Sequence, residues 1–138
     1  MVFSGGQRIW LVDDNHFTRE SWTLVLNNRG YCATAFSVPT EVTECIKDGV
    51  PYDLLVVDYV LGPEQGRTAF RHDAIDIAKL SKEVNPSVPV LLSSGYGVGE
   101  IESIIRRSNG VFDGYIQKPL FPDDYIRIME TALRHSCI

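Results

Sequence analysis

Positive charge is in short supply: 13 Lys and Arg face 18 Asp and Glu, leaving a formal charge of −5. A nucleic-acid surface needs the opposite balance, so direct DNA or RNA binding by this chain is not expected. Long apolar runs are missing as well. None approaches the ~18 residues that a bilayer span requires, so no membrane insertion is expected. The start, Met1-Val2-Phe3-Ser4-Gly5-Gly6, has neither the basic head nor the apolar body of a secretory leader. Cysteine is scarce, and Cys32, Cys45 and Cys137 form an odd set without metal-like spacing. That argues against a disulfide frame and suits a reduced, cytoplasmic setting. Repeats, low-complexity tracts and internal linkers are absent. With 138 residues, 44% of them hydrophobic, the chain is expected to form one domain, 1–138, with its core from about 7 to 135.

What the chain does contain is apolar runs that end in charge. Leu54-Leu55-Val56-Val57 leads straight into Asp58, and Arg8-Ile9-Trp10-Leu11-Val12 leads into Asp13-Asp14. An apolar run without alternation reads as a strand covered on both faces. Val88 to Leu92 gives another such strand, ending in Ser93-Ser94-Gly95. Two shorter ones are read at Tyr31 to Phe36 and at Tyr115-Ile116-Gln117, the latter followed by Lys118-Pro119.

Helical spacing fills the intervals. Phe17 to Asn28 carries Phe17, Trp22, Leu24, Val25 and Leu26 as its apolar stripe, with Gly30 as its stop. Ser37 is placed to cap a second helix with Pro39 in its first turn, Val42, Cys45 and Ile46 inward, and Asp48-Gly49 at its close. Tyr59 to Asp73 is polar, rich in breakers and long for a strand-to-helix connection. Helices are then predicted from Ala74 to Glu83, from Gly97 to Ser108 with Asn109-Gly110 as the stop, and from about Pro122 to His135. Five strands alternating with five helices predict an α/β fold, a parallel sheet with helices on both faces.

In a parallel sheet all strand ends share one edge, and ligands bind there. That edge collects Asp13, Asp14, Asp58, Ser94 and Lys118. Singly, each has a plainer reading: turn residues at strand ends, or a lysine whose stem lies along the surface. Together they suggest chemistry. Three close carboxylates repel at neutral pH and call for a divalent cation. Hard oxygen donors without His or Cys suit Mg²⁺. A lysine and a hydroxyl, with the metal, suit the oxygens of a phosphoryl group, and Asp58 is placed to be its nucleophile.

The chain resembles the receiver domain of two-component response regulators over nearly its whole length. The matching motifs are Asp13-Asp14, Asp58-Tyr59-Val60-Leu61 with Gly66 beyond, Ser94-Gly95 and Lys118-Pro119. The resemblance implies a doubly wound, flavodoxin-like five-stranded sheet in the order 2-1-3-4-5. It implies that Asp13, Asp14, Asp58 and the backbone carbonyl of Val60 hold Mg²⁺. Asp58 is then the phosphoacceptor, Lys118 a phosphate contact, and Ser94 and Tyr115 the switch pair. A cis Lys118-Pro119 bond is implied too. The implied partners are a sensor histidine kinase or a histidine phosphotransfer domain, an output domain or partner protein, and a second copy docking through the face of helix four, strand five and helix five.

The chain departs from the family pattern in places. The stretch from Asp58 to the fourth strand is longer, its proline falls one residue late at Pro63, and Ser94 replaces the commoner threonine. The run Ser93-Ser94-Gly95-Tyr96-Gly97 resembles receivers attached to sensor kinases. His16 is expected to be a surface residue at a helix start, and His72 and His135 have no partner by spacing.

Two other readings compete. An aspartyl-phosphate hydrolase of the haloacid-dehalogenase-like type uses an Asp-x-Asp pattern on its first strand, whereas this chain has Asp13-Asp14-Asn15. A pseudo-receiver that only binds a partner lacks an acid or the lysine, and neither is missing. No glycine-rich phosphate loop follows the first strand, which counts against a nucleotide binder. The expectation is a phosphoacceptor switch rather than an enzyme acting on other molecules.

Overall fold

Strands that are apolar on both faces need cover on both, and the way the chain winds provides it. The computed structural model describes residues 6–59 and 70–136, with 70–73 and 135–136 by backbone alone. The elements run β1 (Arg8–Val12), α1 (His16–Asn28), β2 (Cys32–Phe36), α2 (Pro39–Lys47), β3 (Leu54–Asp58), α3 (Phe70–Val84), β4 (Val90–Ser94), α4 (Val98–Arg107), β5 (Gly114–Gln117) and α5 (Pro122–Ser136). All strand pairs are parallel, in the order β2-β1-β3-β4-β5. This is the doubly wound, flavodoxin-like fold.

Alternation along the strands splits the core in two. Trp10, Val12, Leu55, Val57, Val90 and Leu92 pack on one face, beneath residues of α2, α3 and α4. Ile9, Leu11, Leu54, Val56, Leu91 and Ile116 pack on the other, against Trp22, Leu26, Tyr125, Met129 and Leu133 of α1 and α5. Each core holds a stacked aromatic pair, Trp10 on Tyr52 and Trp22 on Tyr125, both with centroids 4.2 Å apart. Every residue of β3 and β4 is buried. Full burial of an aliphatic side chain is worth roughly 1.5–3 kcal/mol, so these two central strands anchor the edge beyond them.

Several local expectations shift. In α1, Phe17 is 81% and Leu24 62% exposed, while Trp22 and Leu26 are buried. The helical period explains it, since residues 17 and 24 lie five and two positions from Trp22 and so face away. The cap of α2 is Val38, not Ser37, and it has no side-chain cap bond. Pro39 forces the residue before it into extended backbone, which makes Val38 the boundary. Helix α3 begins at Phe70 instead of Ala74, shortening the connection from β3. Strand β4 runs two residues further than expected, so Ser93 and Ser94 belong to the strand, paired with Asp58 and Gln117. Asn109 (φ 61°) and Gly110 (φ 77°) end α4 in left-handed backbone, the conformation those two residue types tolerate best.

Candidate functional site: an acidic edge held by one lysine

The carboxyl ends of β1 and β3 lie side by side because Val12 pairs with Val57, which sets Asp13 beside Asp58. Both are buried, at 5% and 7% exposure. Lys118, just past β5, reaches across. Its Nζ lies 3.2 Å from Asp13 Oδ2 and 3.2 Å from Asp58 Oδ1. The Lys118 N–H donates to the Ser94 carbonyl at 2.7 Å, which fixes the base of that side chain to the end of β4. The Lys118-Pro119 bond is cis. Asp14 completes the group, and Asp13, Asp14 and Asp58 each offer a carboxylate oxygen within 4.8 Å of the others.

Asp13 is oriented from below: its Oδ1 accepts the Asn15 N–H at 2.8 Å, and its carbonyl accepts from Arg19 at 2.9 Å. Asn15 also caps α1 by accepting the Thr18 N–H. Burial, with the Asp13 charge adding to it, pushes the Asp58 carboxyl up to about 7, although the Lys118 ammonium pulls it back. Burial lowers the Lys118 ammonium, but the charges of Asp58 and Asp13 outweigh this and hold it above its ordinary value.

The structure thus brings together Asp13, Asp14, Asp58 and Lys118. Ser94 lies at the same edge and is buried, its hydroxyl accepting the Tyr96 N–H at 3.0 Å. Tyr115 is half-buried on β5 and packs against the core beneath α3 and α4. Val60 lies outside the described residues, as do the side chains of His72 and His135. His16 is exposed, 3.2 Å from Glu20 on the same helix. Asn15, Arg19 and Ser93 are site neighbours that sequence reasoning missed. Ser93 stands opposite Asp58 in the register of β3 and β4, which the sequence did not show because the expected strand stopped at Leu92.

The donor set is three hard oxygens with no His or Cys, which fits a small divalent cation and not a soft one. An acidic edge with a lysine at the carboxyl ends of a doubly wound sheet is the arrangement that the resemblance to receiver domains implies.

Comparison with known proteins agrees. No family model matches the chain. Over 126 residues it is 27% identical to a phosphoglycerate transport system transcriptional regulatory protein of Salmonella typhimurium, covering 91% of this chain and 28% of that one. NtrX from Brucella abortus superposes with a TM-score of 0.77 at 28% identity, covering 95% and 28% of the two chains. A response regulator receiver protein from Sinorhizobium medicae does so at 0.75 and 25% identity, covering 95% and 97%. The chain is a receiver domain of the response-regulator type, a module of two-component signalling. It spans between 25% and 51% of the length of the curated relatives it matches.

Proposed function

We propose that this chain is a phosphoacceptor switch in which Asp58 takes a phosphoryl group from a partner's phosphohistidine. The observation that carries this reading is the Lys118 ammonium bridging buried Asp13 and Asp58 at 3.2 Å each, with Asp14 beside them. Asp13, Asp14 and Asp58 would hold Mg²⁺, together with the carbonyl of Val60. The ion would supply positive charge to the phosphoryl oxygens.

The chain's own residues do the rest. An Asp58 carboxylate oxygen attacks phosphorus in line, the phosphorus–nitrogen bond breaks, and the histidine nitrogen leaves with the electron pair and is reprotonated. Asp58 must be ionised to attack, and Lys118 favours that form. As negative charge arrives on Asp58, Lys118 is in position to pair with a phosphoryl oxygen. Ser94 offers the hydroxyl that follows the new group, and Tyr115 is its partner on β5. The donor is a sensor histidine kinase or a histidine phosphotransfer domain. Output passes through an attached domain or a partner protein, with docking of a second copy at the face of α4, β5 and α5 as one route. The setting is cytoplasmic, and the chain catalyses only its own phosphorylation and dephosphorylation.

Acetyl phosphate with Mg²⁺ tests this. The native chain should gain one alkali-labile phosphoryl group, and Asp58→Asn should gain none. Continuous turnover of acetyl phosphate would favour the hydrolase, and no label at all a pseudo-receiver. Labelling of Asp58→Asn at the native rate would reject the assignment.

A further inference from the structure

Beneath the acidic edge, on the α1 side of the sheet, lies a small cavity of about 10 Å³ lined by Asp13, Asp58, Ser93, Thr18, Trp22 and Leu11. Ser93 is 2% exposed, and its hydroxyl has no hydrogen-bond partner among the described residues. A hydroxyl left so in a core costs free energy, and an alanine there would avoid it. Strand geometry says what the hydroxyl is near. Ser93 pairs with Asp58, as Leu91 pairs with Val56, and alternation puts Leu91, Val56 and Leu11 on one face of the sheet. One step further along the strands, the same face carries Ser93, Asp58 and Asp13 as a row. Neighbours in such a row stand about 4.8 Å apart, one water from each other's polar atoms. A cavity of this size is at the lower limit for a single water; its wall is mostly apolar, and the polar groups that border it are those of Ser93, Thr18, Arg19, Asp13 and Asp58.

We propose that Ser93 is a positioning residue for Asp58: its hydroxyl donates to one water in this cavity, and that water donates to the Asp58 carboxylate. The inference rests on Asp58 being the working carboxylate of the site. Lys118 approaches Oδ1 of Asp58. The water takes the buried side of the carboxylate, which fixes its plane and leaves its outer lone pairs for a cation or a phosphorus atom. The hydroxyl is satisfied at the same time. Ser94, whose hydroxyl is engaged by the Tyr96 amide, is a separate residue with a separate task.

Ser93→Thr and Ser93→Val have the same shape and differ by the hydroxyl alone, so comparing them isolates it from packing. Mg²⁺ binding, followed by tryptophan fluorescence without any phosphodonor, should be within about threefold of native in Ser93→Thr. In Ser93→Val it should be roughly tenfold weaker, the scale of a hydrogen bond to a charged group. Metal-free melting gives a second readout with a sign: Ser93→Thr should melt above Ser93→Val. Equal Mg²⁺ affinities in the two variants, or a higher melting point for Ser93→Val, would overturn the proposal. Failure of the phosphoacceptor reading looks different: the native chain takes no label from acetyl phosphate, while the order of the two melting points still stands.

Discussion

Asp58 shows what a single residue gives up to be useful. In the metal-free fold its carboxyl is pushed up to about 7 by burial and by Asp13, against 3.8 for a free side chain. The folded state therefore binds more protons than the unfolded chain between those values, so stability falls as pH rises from about 4 to about 7. At one pKa unit per 1.36 kcal/mol the loss is on the order of a few kcal/mol. Denaturant unfolding in EDTA should show native stability declining across that window. Asp58→Asn should flatten the decline and be the more stable protein at pH 7.5. A native profile that rises with pH there would contradict the placement of the charge. Asp13, Asp58 and Lys118 were legible in the sequence because strand ends in a parallel sheet share an edge, whatever the details of packing. Ser93 was not legible as a neighbour of Asp58. It read as the residue just past a strand ending at Leu92, and only the true end of β4 puts it in register with the carboxylate.

At the scale of elements, order and type were readable from periodicity, while phase and boundaries were set by contacts that one segment cannot encode. Phe17 and Leu24 belong to α1 by composition but lie on its outer face. The Pro39 backbone restriction, not the better capping side chain of Ser37, decides where α2 begins. The same scale governs how a signal would leave the site. Ser94 Oγ holds the Tyr96 amide, and the Tyr96 carbonyl accepts from Gln117 Nε2 at 3.0 Å, so the turn entering α4 is tied to both β4 and β5. A Ser94 hydroxyl drawn toward a phosphoryl oxygen must release that amide. That release would free the turn entering α4, whose cap Gly97 makes no side-chain bond, next to half-buried Tyr115. On the proposed function, phosphorylation would bias a two-state element by differential contacts. NMR shifts on forming a beryllofluoride complex should concentrate in α4, β5 and the start of α5. Shifts confined to α1 and α2 would contradict this route.

For the molecule as a whole, the acidic edge gathers like charges that a bound cation would relieve. Domains of this size are stable by only about 5–15 kcal/mol, so crowding three carboxylates within 4.8 Å of one another bears on the total. A ligand that binds only the folded state at a hundred times its Kd adds about 2.7 kcal/mol. For a chain of this length that corresponds to a rise in Tm of roughly 5–10 °C. Saturating Mg²⁺ at pH 7.5 should produce a rise of that order, and EDTA should reverse it. Asp14→Ala removes one ligand and part of the repulsion together. It should therefore melt slightly higher than the native chain without metal and gain much less from Mg²⁺. The Mg²⁺ gain of the native chain should also shrink at pH 5, where the Asp58 carboxyl is protonated and a cation must displace that proton to bind. A Mg²⁺ shift that is the same at pH 5 and 7.5, or that survives whole in Asp14→Ala, would place the ion somewhere other than this edge.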